Sequence, residues 1–147
     1  MIIIAPWARG MREAKPHPKN YPRWKEVIEL LGTDEEIIQI GIEGEEQLVP
    51  DFRKNSKMAD LKTLVEKCRT WCSVDSFFQH YAWDLGKPGV VVWGQSDPNI
   101  FGHPENINLL KDRKYLREKQ FWLWSQCEAL DEVWVTPEVI VTALKHE

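Results

Sequence analysis

Three polar residues follow an apolar run near the middle of the sequence. Asp75 and Ser76 come directly after residues 71–74, and His80 stands one helical turn further on. Asp and Ser favour the N-cap of a helix, so we expect this pair to cap the segment that follows. The free N–H groups and positive dipole at a helix N-terminus attract anions. With a hydroxyl from Ser76 and a ring from His80, the pattern predicts a phosphate or diphosphate site.

Two other groups of polar residues follow predicted strands. Ligands of open parallel sheets bind beyond the carboxyl ends of the strands, so we expect these groups at the same edge. They are the cations Arg9, Lys15 and Lys19 after the first strand, and Gly41, Glu43 and Glu45 in an acidic turn after the second. Taken singly, such residues are also typical of helix caps, core histidines and solvated loop lysines. Their coincidence at one edge favours a ligand site.

Strands that alternate with helices must position these residues. This alternation predicts an α/β fold, with a single Rossmann-like domain whose parallel sheet is flanked by helices. The predicted strands are 2–5, 36–40, 47–52, 71–74 and 89–93, and the predicted helices are 22–31, 59–68, 76–85, 115–118 and 137–145. Gly32 and the Gly-Lys-Pro sequence of 86–88 are typical helix ends. Residues 94–113 are predicted to be rich in loops.

Length and composition narrow the class of protein. The 147 residues suit one domain, 1–147, and the net charge of -4 argues against non-specific nucleic-acid binding. Three cysteines do not make a disulfide framework, and Cys68 and Cys72 would need two more ligands to hold zinc. We therefore expect no metal ion and no cofactor. Neither a signal peptide nor an apolar run long enough to cross a bilayer is evident, which predicts a cytoplasmic protein without a membrane span.

The chain resembles a known enzyme family over roughly residues 2 to 142. It is similar to the C-terminal, donor-binding half of GT-B glycosyltransferases of family 9, the heptosyltransferase type. The matching motifs are Asp75-Ser76 with His80 and Ala82, Leu85-Gly86-Lys87-Pro88, an apolar strand, Gly94-Gln95-Ser96-Asp97-Pro98, and, upstream, Lys19-Asn20-Tyr21-Pro22 and the acidic turn at Gly41. The resemblance implies a glycosyltransferase domain, half of a GT-B fold.

The resemblance also implies a ligand, a nucleotide-diphosphate-sugar, and a role for each matching residue. The diphosphate would be held by Asp75, Ser76 and the helix N-terminus, with Lys19 paired to phosphate and His80 in support. Ribose or sugar hydroxyls would bind Glu43 or Glu45, and the base would lie against Met58. Enzymes of this kind need no metal, because the helix dipole and cations neutralise the leaving diphosphate. Phe77 departs from the family, which usually has glycine at this position.

The acceptor-binding half of the family, which carries the catalytic base, has no counterpart in these residues. Glycosyl transfer would then need a partner subunit or a homodimer to supply the second wall. The alternative is a non-catalytic module that kept the donor site and binds or sequesters a nucleotide. A third hypothesis is an assembly protein that has lost its ligand. The sequence assigns no catalytic residue.

Overall fold

The computed structural model describes residues 1–8 and 16–146 and confirms the predicted α/β fold. The strands are β1 (Ile2–Ala5), β2 (Ile37–Gly41), β3 (Phe52–Lys54), β4 (Thr70–Val74), β5 (Val90–Trp93) and β6 (Ile107–Leu110). The helices are α1 (Trp24–Leu31), α2 (Met58–Lys67), α3 (Phe77–Asp84), α4 (Pro98–Phe101) and α5 (Pro137–Lys145). Within the described residues the strands form one sheet in the order β3-β2-β1-β4-β5-β6, and every pair is parallel.

The central strands are buried on both faces. All residues of β1, β4 and β5 are buried, as expected for β-branched and aromatic runs in the middle of a parallel sheet. Successive side chains alternate between the faces, so Ile2 and Ile4 belong to one core while Ile3 and Ala5 belong to the other. The sheet therefore separates two hydrophobic cores.

A layer of helices covers each face of the sheet. On the first face lie α1 and α5, and Trp24, Val27 and Leu31 of α1 share one buried stripe at helical spacing. On the second face lie α2 and α3. Gly32 ends α1 with a φ of 71°, a left-handed conformation that glycine adopts without strain. The predicted end of this helix is therefore confirmed.

Large aromatic side chains fill much of both cores. Among the eight tryptophans, all of which fall in the described part of the chain, four are almost fully buried: Trp24, Trp71, Trp93 and Trp134. The Trp71 indole donates a 2.9 Å hydrogen bond to the carbonyl of Lys87. It also lies so close to Gly89 that a Cβ there would collide with the ring. The start of β5 is therefore packed around Trp71.

Two predictions about secondary structure were wrong, and the prediction of a loop-rich region missed two short elements. The third strand lies at 52–54 rather than 47–52, because Pro50 lacks the N–H that a ladder needs and the preceding backbone bonds to Gln39. The predicted helix 115–118 is a 3₁₀ helix, Arg113–Tyr115, whose start is capped by the Asp112 carboxylate. The predicted loop region contains α4 and the edge strand β6, both only four residues long.

Two further structural facts concern membranes and thiols. Across residues 1–8 and 16–146, none of the helices combines the length and the apolar character needed to cross a bilayer. Cys68, Cys72 and Cys127 are free cysteines. Burial raises the pKa of the Cys72 thiol, so this side chain behaves as a small apolar group of the core.

Candidate functional site

A cleft of about 660 Å³ opens at the carboxyl ends of β1, β2 and β4. In the sheet, β2 and β3 lie on one side of β1, and β4 lies on its other side. The strand order therefore reverses between β1 and β4, and the cleft lies at this topological switch point. Ligands of doubly wound sheets bind at this position. Seven predicted site residues line the cleft: Lys19, Gly41, Glu45, Met58, Asp75, Ser76 and Phe77.

The other four predicted site residues are placed differently. His80 lies on the exposed side of α3, where its Nδ1 is 2.8 Å from Nε2 of His103, and it does not line the cleft. Burial and the neighbouring His103 ring lower the pKa of His80. Glu43 is exposed, and its carboxylate pairs with Lys54 at 3.6 Å. Arg9 and Lys15 fall outside the described residues.

Asp75 anchors a lysine at the floor of the cleft. Its carboxylate is buried, with the ammonium of Lys19 at 3.1 Å from Oδ2 and the amide of Gln79 donating to Oδ1 at 2.9 Å. The two partners satisfy the buried charge, which would otherwise be costly. They also hold Lys19 at one position beside the start of α3.

The start of α3 carries no side-chain cap. Ser76 is the N-cap residue, but its side chain makes no capping hydrogen bond, and the Asp75 carboxylate bonds to Lys19 and Gln79 instead. The prediction that this pair caps the helix by its side chains was therefore wrong. Because the first N–H groups of a helix have no partner within it, they are left to bond a ligand together with the Ser76 hydroxyl.

In the acidic turn after β2, the carboxylate of Glu45 points into the cleft. Glu45 accepts a 2.7 Å hydrogen bond from the N–H of Ile42 and lines the cleft. Partial burial raises the pKa of Glu45, and the Ile42 bond offsets part of that rise. A Cβ at Gly41 would meet this carboxylate, so a larger residue there would displace the Glu45 side chain. Of the two predicted acidic residues, the cleft therefore contains Glu45 and not Glu43.

A buried amide in β2 sets the shape of this turn. Gln39 donates to the carbonyl of Glu46 at 2.9 Å and accepts from the N–H of Leu48 at 2.7 Å. The Trp7 indole donates to the same Glu46 carbonyl at 2.9 Å. These bonds join the loop after β1 to the turn after β2, so two walls of the cleft are held together.

Sequence reasoning missed several residues of the cleft. They include Trp7, His17, Arg53, Asn55 and Ser56. Asn55 and Ser56 directly follow β3, so the strand-end rule would have found them if that strand had been placed at 52–54. Asn55 has a φ of 51°, donates its N–H to the carbonyl of Gly41 at 2.9 Å and accepts from the N–H of Glu43 at 3.3 Å. It therefore connects the ends of β2 and β3.

A basic cluster, made of His17, Lys19 and Arg117 around the Trp124 ring, flanks the cleft. The Lys19 ammonium is 5.2 Å from the ring centroid, the Arg117 guanidinium 3.4 Å and the His17 ring 5.7 Å. Cations are attracted to the face of an indole. The pKa of His17 is lowered to about 4 by burial and then by Lys19 and Arg117, against the opposing effect of Asp75. Trp124 thus gathers positive charge beside the α3 N-terminus.

The Asp97 carboxylate does not form part of this site. Asp97 accepts from the N–H of Asn99 at 2.9 Å and from the Arg113 guanidinium at 3.1 and 2.8 Å, and Arg113 lowers the pKa of its carboxyl. Its carboxylate is thus engaged in α4 and the segment after β6. Within the described part of the chain, His, Cys, Asp and Glu side chains form no group of three or more that could hold a metal ion.

Comparisons with known proteins give matches of structure alone. No protein-family model and no curated protein sequence matches the chain. The E. coli heptosyltransferase WaaC with ADP has 16% identity and a TM-score of 0.61, over 87% of this chain and 40% of that one. E. coli ADP-heptose lps heptosyltransferase II has 16% identity and a TM-score of 0.65, over 99% of this chain and 45% of that one. The dodecameric iron-containing heptosyltransferase TibC, in complex with ADP-D-beta-D-heptose, has 12% identity and a TM-score of 0.61, over 99% of this chain and 42% of that one.

The chain thus spans less than half the length of each of these solved enzymes. The predicted resemblance to GT-B heptosyltransferases is confirmed in the fold, and the six parallel strands have the order of a Rossmann-like half. The chain therefore has the fold of about half of a GT-B heptosyltransferase.

Proposed function

We propose that this chain binds a nucleotide-diphosphate-sugar in the switch-point cleft and serves as the donor-binding half in glycosyl transfer. One observation carries the proposal: the Lys19 ammonium, held 3.1 Å from Asp75, stands beside the uncapped N-terminus of α3 in this cleft. A fixed cation next to free backbone N–H groups is suited to a diphosphate.

The diphosphate contacts follow from the charges at this end of the cleft. Lys19, the Ser76 hydroxyl and the first N–H groups of α3 are the donors, with Phe77 contributing its backbone. The Asp75 carboxylate is already engaged by Lys19 and Gln79, so its role in this proposal is to hold Lys19. The same donors would stabilise the negative charge that develops on a departing nucleoside diphosphate, which is why we propose transfer without a metal.

The nucleoside contacts follow from the opposite wall. The Glu45 carboxylate can accept hydrogen bonds from two neighbouring hydroxyls of a ribose or sugar. Met58 and Leu61, together with Ile42, supply an apolar surface for a base. The cleft volume of about 660 Å³ lies within the usual range for small-molecule sites.

Transfer also needs a wall for the acceptor, which we propose comes from a second Rossmann-like half in a partner subunit or a second copy. Next to Trp124, the side chains of Phe121, Trp122 and Leu123 are exposed by 82%, 49% and 64%. Such a run of exposed apolar residues suits contact with another surface. Free cysteines and a nucleotide ligand fit the predicted cytoplasmic location.

The second candidate function is a module that binds or sequesters a nucleotide without catalysis. It is favoured by the hydrogen bonds of three groups that the sequence or the cleft offers as a possible base. The Glu45 carboxylate accepts from Ile42, Nδ1 of His17 accepts from the Lys19 N–H, and Asp97 pairs with Arg113. The Nδ1 of His17 and the Asp97 carboxylate are thereby engaged, and the remaining acceptor capacity of Glu45 is used by the ribose, so none of the three is left for an acceptor hydroxyl. Both candidates require the same ligand.

A thermal-shift panel tests the proposal. We expect at least one of ADP-ribose, UDP-glucose and GDP-mannose to raise the melting temperature of the wild-type protein, because a ligand that binds only the folded state stabilises it by mass action. The shift should grow with ligand concentration. If none of the three nucleotide-sugars shifts the melting temperature at millimolar concentration, both candidate functions are wrong.

A matched pair of variants then tests the nucleoside wall. Glu45→Gln should weaken binding of the ligand found in the panel about tenfold, since hydrogen bonds to a charged acceptor are worth about 1.5–3 kcal/mol. Glu43→Gln should leave the affinity unchanged, because this exposed side chain pairs with Lys54 outside the cleft. Isothermal titration calorimetry measures both. Equal losses in the two variants would contradict the placement of the ribose.

A further inference from the structure

The cleft contains an imidazole to which the proposed function gives no role. His17 lines the cleft in the loop that leads to Lys19, and it packs against the Trp124 ring. It lies between Lys15 and Lys19 in the loop after the first predicted strand, but it belongs to none of the motifs that carry the family resemblance. Its contacts with the Lys19 backbone and with the Trp124 ring, which Arg117 also covers, nevertheless place it at the diphosphate end of the cleft.

One hydrogen bond sets the tautomer of this ring. The backbone N–H of Lys19 donates to Nδ1 of His17 at 3.1 Å, so Nδ1 is an acceptor. A neutral imidazole carries one proton, which must then be on Nε2. The edge of the ring opposite the Lys19 backbone is therefore a hydrogen-bond donor.

The surroundings keep the ring neutral over the physiological range. Partial burial disfavours the imidazolium, and so do the cations Lys19, on the same loop, and Arg117, beside Trp124. Asp75 after β4 acts in the opposite direction but is already paired with Lys19. The pKa of His17 is thereby lowered to about 4. Protonation would also break the Nδ1 bond from Lys19, because Nδ1 would become a donor.

From this geometry we infer that His17 is a binding residue for the diphosphate, to which it donates a hydrogen bond from Nε2 as a neutral imidazole. The inference rests on the proposed function and deepens it. The Nε2–H group of His17 thus adds a neutral hydrogen-bond donor, whose charge does not change over the physiological pH range. It also couples the ligand to the 17–19 loop, since the same ring receives the Lys19 N–H.

The test compares two substitutions of the same residue. His17→Gln keeps a donor close to the position of Nε2, whereas His17→Phe keeps the ring and removes the donor. The probe is whichever of ADP-ribose, UDP-glucose and GDP-mannose binds the wild type most tightly, and the measurement is calorimetry between about pH 5.5 and 8. We expect His17→Phe to lose about tenfold in affinity at every pH, and His17→Gln to retain most of the wild-type affinity.

Two controls accompany this comparison. Thermal unfolding of the free variants shows that they are folded. His146→Gln removes an exposed imidazole just after α5. The last turn of α5 accepts a hydrogen bond from Arg69, which directly precedes β4, so His146 lies at the end of the sheet opposite the cleft. This variant should bind like the wild type. A long-range ¹H–¹⁵N spectrum of the imidazoles should show the Nε2–H tautomer for His17 across the same pH range.

The possible outcomes distinguish a failure of the His17 inference from a failure of the proposed function. If the wild type binds the probe and His17→Phe binds it equally well, the inference about His17 is wrong while the proposed function stands. An affinity that rises as the pH falls, and that loses this rise in His17→Gln, would show an imidazolium and overturn the neutral donor. If the wild type binds none of the three probes, the proposed function fails, and the inference fails with it.

Discussion

Replacing Lys19 by methionine should lower the affinity for a nucleotide-diphosphate-sugar by about 10- to 100-fold. The ammonium stands 3.1 Å from the Asp75 carboxylate and lines the cleft beside the N-terminus of α3. A charge-assisted hydrogen bond to phosphate is worth about 1.5–3 kcal/mol, which corresponds to this range of affinity. Methionine keeps most of the apolar stem, so the variant removes chiefly the charge. Calorimetry with the ligand from the thermal-shift panel measures the loss.

Two further variants control this result. Lys19→Arg restores a cation that can still reach both Asp75 and phosphate, and it should recover part of the affinity. Lys25→Met removes an exposed ammonium of α1, which is 3.9 Å from Glu46, and should bind like the wild type. Lys19→Met leaves Asp75 without its cation, so a lower melting temperature of the free variant is also expected. Undiminished affinity in Lys19→Met would contradict the proposed diphosphate site.

Replacing Trp71 by alanine should destabilise the fold by about 3–5 kcal/mol. Trp71 is fully buried in β4, stacks edge-on against Phe78 at 5.2 Å and donates its indole N–H to the carbonyl of Lys87. The substitution leaves a cavity between the sheet and α3 and removes the donor to the Lys87 carbonyl in the turn before β5. Urea unfolding, followed by circular dichroism, measures the change in the free energy of unfolding.

The matched control is a tryptophan on the surface. Trp122 is 49% exposed, so Trp122→Ala should change the free energy of unfolding by less than about 1 kcal/mol. Trp71 supports α3, whose N-terminus forms part of the cleft, so Trp71→Ala should also weaken ligand binding. Equal stability of the two variants would contradict the description of the second core.

The sequence predicted the parts of the site that depend on strand ends. β1, β2 and β4 are short buried runs with clear apolar patterns, and the residues that follow them must meet at one edge of a parallel sheet. For that reason Gly41, Glu45, Asp75 and Ser76 were placed correctly beside one another. Lys19 was also expected at this edge, in the loop after β1, and the resemblance to GT-B enzymes added Met58.

The parts that escaped prediction depend on contacts between distant segments. His17 and Trp124 meet only because the segment after β6 returns to the cleft, and no local pattern encodes that path. The choice between Glu43 and Glu45 depends on one hydrogen bond, from the N–H of Ile42, within an exposed turn. His80 was expected one turn along α3 and therefore facing the anion, but its ring lies against His103 instead.

A ¹H–¹⁵N correlation spectrum, recorded during a titration with ADP-ribose, UDP-glucose and GDP-mannose, tests whether the switch-point cleft binds a nucleotide-diphosphate-sugar. We expect at least one of them to shift the amide signals of Gly41, Ser76 and Phe77, at the edge of the sheet that forms the cleft. The signals of Val90 and Ile107, at the starts of β5 and β6, should stay in place. Absence of any shift, or shifts confined to the starts of the strands, would contradict the account.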